Sequence, residues 1–129
     1  MAEEIHESGE DYLEAILRLQ KENGIARSVD VAKKLGVSKP SVSRAMSILA
    51  EKGYVTVGAI GSLEFTEKGR AKAEAVFSRH VLLTQFLQKI TGVSEEQAEA
   101  NACKIEHDIS EESFTAIRKT MDKDAAVSS

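Results

Sequence analysis

The stretch ACKIEHDIS, residues 102–110, holds the chain's single cysteine, with Glu106 three residues on and His107 four. Helical residues advance about 100° each, so on a helix Cys103, Glu106 and His107 share roughly a 100° arc of one face. Thiolate, carboxylate and imidazole side by side have little use for one another except around a cation. Alone, the trio reads first as a core cysteine, a solvated glutamate and a capping histidine. Two other places weigh towards the cation. Asp11 and Glu14 stand at i and i+3 in GEDYLEAILRL, sharing a face beside Tyr12 and Leu13. His80 lies mid-way along a long helical stretch, flanked by Arg79 and an apolar run. Three segments then each carry part of one constellation.

The elements that must position these groups follow from periodicity. EDYLEAILRLQ puts Tyr12, Leu13, Ile16, Leu17 and Leu19 on a helical stripe, and NG at 23–24 ends it. In SVDVAKKLG, Ser28 is the expected N-cap, Val29, Val31, Ala32 and Leu35 form an apolar face, and Gly36 is the stop. In VSKPSVSRAMSILAEKG, Ser38 can cap, Pro40 fits the first turn, and Val42, Ala45, Met46 and Leu49 recur at helical spacing. Two short helices across a tight turn make a helix-turn-helix. YVTV and LEFT are strands separated by GAIGS, the hairpin of a wing. From Thr66 a long helix is expected, with Ala71, Ala75, Leu82, Leu83, Phe86, Leu87 and Ile90 inward. SEEQ opens the next helix with a capping box of Ser94 and Gln97. EESFTAIRKTM is a final short helix, and DKDAAVSS a polar, frayed tail. The expected fold is mainly α: a winged helix-turn-helix with a small β-hairpin wing over residues 1–68, then a helical domain over 69–129. Aromatics such as Phe77, Phe86 and Phe114 serve either that domain's core or a dimer surface.

Composition narrows the function classes. With 129 residues, 42% hydrophobic and 29% charged, the chain reads as soluble and globular, with no apolar run near a membrane span. The acidic start MAEEIHESGEDY is unlike a signal peptide, and one cysteine excludes an internal disulfide and fits a reducing cytoplasm. Few aromatics and no Trp argue against base stacking on single strands. Net charge is −4, yet residues 18–54 carry eight cations (Arg18, Lys21, Arg27, Lys33, Lys34, Lys39, Arg44, Lys52) against three acids. One surface is therefore suited to phosphates, and another collects carboxylates. The second helix of a helix-turn-helix enters the major groove with its N-terminal residues. Here those are Ser38, Lys39, Pro40, Ser41, Ser43 and Arg44, with Arg27, Lys33 and Lys34 as phosphate contacts that position rather than specify. Ser38 alone reads as a cap ahead of a base reader.

Taken together, GEDYLEAILRL, VDVAKKLGVSKPSVSRAMSILAEKGYV, LEFTEKGRAKA, RHVLLTQFL and ACKIEHDIS resemble the DtxR/MntR family of metal-dependent transcriptional repressors, from about Ser8 to Ile109. The resemblance implies a homodimeric, metal-dependent repressor of metal-uptake genes on a palindromic double-stranded operator, with no membrane and no small-molecule substrate. It also implies a helical domain that binds metal and dimerises. The family's ligand positions fall on Asp11, Glu14, His80, Cys103, Glu106 and His107, and its groove-contacting positions on Ser38, Pro40 and Ser41. Asp11 is the residue of manganese-sensing members and Cys103 that of iron-sensing ones, so a hard oxygen and a soft thiolate are mixed. The preference leans to Mn(II), with Fe(II) close behind, and zinc binds such donors tightly whatever the physiological ion. Ancillary positions of iron-type members hold Thr84 and Glu99, a poor match; GAIGS lacks the basic residues of a phosphate-binding wing; and an SH3-like third domain is not expected. The competing readings are a winged-helix regulator without metal control and a thiol-redox regulator acting through Cys103. An enzyme with Cys103 as nucleophile is not expected, because no nucleophile turn or oxyanion loop accompanies it.

Overall fold

The computed structural model describes the backbone of residues 7–128 and the side chains of residues 9–123. The first six residues, on which the signal-peptide reading rested, lie outside the described residues. Among the described residues the order is α1 (Glu7–Asn23), β1 (Ala26–Arg27), α2 (Ser28–Leu35), α3 (Lys39–Glu51), β2 (Val55–Val57), β3 (Ser62–Phe65), α4 (Glu67–Thr91), α5 (Glu95–Ile105) and α6 (Glu111–Ser128). The chain is mainly helical, with the expected winged helix-turn-helix leading. It divides into two compact units, Met1–Val76 and Phe77–Ser129. The expected boundary after residue 68 falls in the first turn of α4. No helix among the described residues is long and apolar enough to cross a membrane.

In the first unit, α1 turns off at Gly24 (φ +80) and α2 at Gly36 (φ +67), where the left-handed backbone brings the Gly36 N–H to the Ala32 carbonyl. Ser38 then caps α3 by accepting the Ser41 N–H at 3.2 Å. The core draws Leu13, Ile16 and Leu17 from α1, Val31 and Ala32 from α2, Val42, Met46 and Leu49 from α3, and Val55 and Leu63 from the sheet. Two features depart from the sequence reading. A two-residue strand, β1, extends the hairpin to a three-stranded antiparallel sheet in the order β1-β3-β2, with Ala26 opposite Leu63 and Val57 also opposite Leu63. Because Arg27 is paired with Ser62 and extended, it occupies the N-cap of α2, and Ser28 is already the first helical residue rather than the cap.

Thr66 ties the wing to α4. Its hydroxyl donates to the Gly53 carbonyl at 2.6 Å and accepts the Gly69 N–H at 3.0 Å. Gly69 is required here, since a Cβ would lie 1.8 Å from the Tyr54 carbonyl oxygen.

In the second unit, Leu83, Ala102 and Phe114 form a buried cluster with Leu82, Leu87, Ile109 and Ile117 against it. Phe114 is thus core, flanked by the guanidinium groups of Arg79 and Arg118 at 4.8 and 5.1 Å. Ser94 caps α5 by accepting the Gln97 N–H at 3.1 Å, as the sequence predicts. The α4 stripe is shifted from the expected one. Ala71, Ala75 and Ile90 are exposed, whereas Ala73, Val76, His80, Leu83 and Thr84 are buried. A histidine and a threonine sit on the inward line, so apolar residues alone misplace it. The backbone of α6 also continues through the expected tail to Ser128.

Candidate metal centre and nucleic-acid interface

In the helical unit, α4 carries His80 and α5 carries Cys103, with Glu106 at the C-cap of α5 in helical backbone geometry (φ −61, ψ −24). The periodicity that groups 103 and 106 therefore holds through the helix end. His80, Cys103 and Glu106 each offer one donor atom within 4.8 Å of the others. Glu106 Oε2 is 3.1 Å from His80 Nδ1, and Cys103 Sγ is 3.7 Å from the same nitrogen. The other carboxylate oxygen, Oε1, faces His107 Nε2 at 3.4 Å. Glu106 is 1% exposed, and its Oε1 makes no hydrogen bond among the described residues. A carboxylate withdrawn this far from water is costly unless cations or strong donors surround it. Two imidazoles and a thiol surround this one. Oxygen, nitrogen and sulfur donors converging on a buried, incompletely satisfied carboxylate fit a divalent transition ion.

Two positions near His80 need separate treatment. The Thr84 hydroxyl donates to the His80 carbonyl at 2.8 Å, so it is committed to the helix backbone. Glu99 was expected to match poorly, yet its Oε1 lies 3.7 Å from His80 Nε2, on the side of the ring away from Glu106. The signal was present in the sequence: positions 99, 103 and 106 are spaced i, i+4, i+7 on one helical face. On a half-exposed glutamate that spacing reads as ordinary solvation.

The first unit, called the reading unit for its helix-turn-helix, carries on α1 the remaining positions that the resemblance assigns to ligands. Asp11 is half-buried and Glu14 is buried, one turn apart as expected. Glu14 is already engaged by Arg18, whose Nη2 lies 2.9 Å from Oε2. Arg18 had been counted with the phosphate-facing cations, but a partner four residues away neutralises it. Lys34 likewise lies 3.5 Å from Glu22.

The face of α3 opposite Val42, Met46 and Leu49 presents Lys39, Pro40, Ser43 and Arg44, all exposed, and Ser41 is half-buried. Ser38 is a cap in this state: besides accepting the Ser41 N–H, its hydroxyl donates to Ser41 Oγ at 2.9 Å. Arg27 and Lys33 are exposed on β1 and α2. Between α3 and the wing runs a groove lined by Arg27, Lys39, Ser43, Ser47, Val57 and Ile60. The wing tip is apolar, with Ile60 79% exposed and in the left-handed region (φ +57). GAIGS brings no cation to it.

Sequence comparison agrees with this division of labour. Residues 4–59 match the iron dependent repressor, N-terminal DNA binding domain, and residues 66–125 the iron dependent repressor, metal binding and dimerisation domain. The transcriptional regulator MntR of Escherichia coli O6:H1 is 37% identical over 117 residues, covering 91% of this chain and 75% of that protein. The chain belongs to the DtxR/MntR family of metal-dependent transcriptional repressors. Among other relatives in the family, the iron-dependent repressor IdeR of Mycobacterium bovis is 36% identical over 109 residues, 84% of this chain and 47% of that one. A manganese-dependent transcriptional repressor solved in complex with manganese superposes with a TM-score of 0.82 at 29% identity, over 88% of this chain and 52% of that one. The chain spans about half the length of the solved repressors it matches.

Proposed function

We propose that this chain represses transcription in response to a divalent metal, binding a palindromic operator as a homodimer. Mn(II) is the favoured ion and Fe(II) the second. The observation that carries the reading is Glu106: a carboxylate 1% exposed, set between His80 and His107 with Cys103 close by. In this reading His80, Cys103, Glu106 and His107 are metal ligands in the helical unit, and Asp11 and Glu14 are metal ligands on α1. A bound ion supplies the positive charge that offsets the cost of burying the Glu106 carboxylate.

The chain's own residues do the rest. Lys39, Arg44, Arg27 and Lys33 meet phosphates or base edges, Pro40 presents an apolar face suited to thymine methyls, and Ser41 and Ser43 supply short hydroxyls. Ser38 sets the start of α3 and so the height at which these residues enter the groove. Asp11 is the hard donor that weighs for Mn(II), and Cys103 the soft one that keeps Fe(II) close. The mixture of manganese- and iron-named relatives supports leaving both ions in the test.

The test is to select duplexes from a randomised library in the presence of Mn(II), then measure affinity for the winner with Mn(II), Fe(II), Zn(II) or chelator at controlled free concentrations. Asp11→Met is measured alongside. Tight binding with Mn(II), lost on chelation and moved towards Fe(II) by Asp11→Met, is the expected pattern. Equal specific affinity with and without chelator would remove the metal from the account.

A further inference from the structure

Arg18 is assigned to neither metal nor DNA in the reading above, yet it grips a residue that is. On α1 its Nε lies 3.0 Å and its Nη2 2.9 Å from the same oxygen, Oε2 of Glu14. The Glu14 side chain is 7% exposed and that of Arg18 26%. Glutamate four residues before arginine is the favourable order on a helix, and a guanidinium keeps its charge at any physiological pH. The buried carboxylate therefore comes with a cation supplied by its own helix.

We propose that Arg18 is a built-in rival to the metal. It satisfies Glu14 when the ion is scarce and sets the free-metal concentration at which a Glu14-dependent ion binds. The inference rests on Glu14 being a ligand, as the proposed function has it. A guanidinium and a divalent ion that address one carboxylate compete for its electron pairs and repel each other. The Arg18 side chain is 26% exposed, so it can turn towards solvent without being expelled from a packed core. Neutralising it removes both the competition and the repulsion. Lysine keeps the charge but loses the fork, so it competes less well.

The experiment measures Mn(II) binding to the full chain without DNA, from the paramagnetic resonance signal of the free ion. It compares the unaltered protein with Arg18→Gln, Arg18→Lys, Glu14→Gln and the Arg18→Gln/Glu14→Gln pair. Arg18→Gln is expected to tighten the Glu14-dependent step by about tenfold, with Arg18→Lys in between, and Glu14→Gln to weaken or delete that step. The double variant should show none of the gain. If Glu14→Gln binds Mn(II) like the unaltered protein, the ligand assignment of Glu14 fails and this inference with it. If Glu14→Gln loses the ion while Arg18→Gln binds no tighter, only the inference about Arg18 falls. Metal-free thermal unfolding separates a purely structural pair, for which Arg18→Gln lowers Tm without gaining affinity. Should Arg18→Gln not fold, Arg18→Lys carries the same test with a smaller shift in the same direction.

Discussion

The residues proposed to meet DNA and those proposed to hold metal in the helical unit keep their polar chemistry in opposite places. In the reading unit the residues proposed to meet DNA stand in water on the outer face of α3, and the interior beneath them is Val42, Met46 and Leu49. In the helical unit the proposed ligands His80 and Glu106 are 2% and 1% exposed, on α4 and at the end of α5, and Cys103 lies exposed beside them. A surface charge meets its partner at little desolvation cost, so it can be spread over several cations, each worth little alone. A buried carboxylate needs specific neighbours, so removing one is felt sharply. The contrast predicts graded effects from the first unit and abrupt ones from the second.

The largest effect expected is from Glu106→Gln, which keeps the volume and removes the charge. Mn(II) affinity should fall by on the order of 100-fold, read by the free-ion signal, and the metal dependence of specific DNA binding should vanish. Salt-dependent non-specific binding should survive, since it belongs to the other unit. A variant that still binds Mn(II) normally would place the chemistry elsewhere. Next is a purely structural probe. Gly69→Ala puts a methyl into the Tyr54 carbonyl and should cost about 3 kcal/mol in a denaturant titration. A near-neutral result would mean that α4 does not approach Tyr54 so closely.

Smaller and more uniform changes are expected on the DNA face. Arg44→Ala or Lys39→Ala should weaken binding to all duplexes by similar factors if the contact is to phosphate. Each should flatten the slope of log affinity against log salt by about 1. Selective loss at one base position would instead mark that residue as a base reader. Smallest is Ser38→Ala, which loses a helix cap worth about 1 kcal/mol. Thermal unfolding should register it as a drop of a few degrees, whereas sequence preference should not change if Ser38 only caps.

The same contrast explains what the sequence made legible. The helix-turn-helix is written in punctuation: Gly24, Gly36, Ser38 and Pro40 fall where turns and caps require them, and the apolar spacing between them is clean. The wing is readable from its change of period. Strand β1 is not, because two residues carry no periodicity, and its pairing with β3 displaced the cap expected at Ser28. On α4 the apolar stripe was misread because His80 and Thr84 occupy inward positions, and buried polar groups are invisible to a hydrophobic pattern. The reach of α6 was missed for the opposite reason. Its last turns have little apolar character, and alanine-containing sequence can remain helical by propensity alone. As for the site, the donor types and their spacing were legible from Cys103 to His107. The shared face of 99, 103 and 106 was legible too, but the proximity of Glu99 to His80 comes from the packing of α5 on α4, and the grip of Arg18 on Glu14 from one choice among many i,i+4 pairs.

The central claim is that metal and operator bind one molecule in mutual support. Linkage makes this measurable from the metal side: the Mn(II) affinity of the full chain, titrated with and without saturating operator duplex. The account predicts that the duplex tightens Mn(II) by the same factor by which Mn(II) tightens the duplex, between about 5- and 150-fold. An Mn(II) isotherm that does not move when operator is added would contradict it.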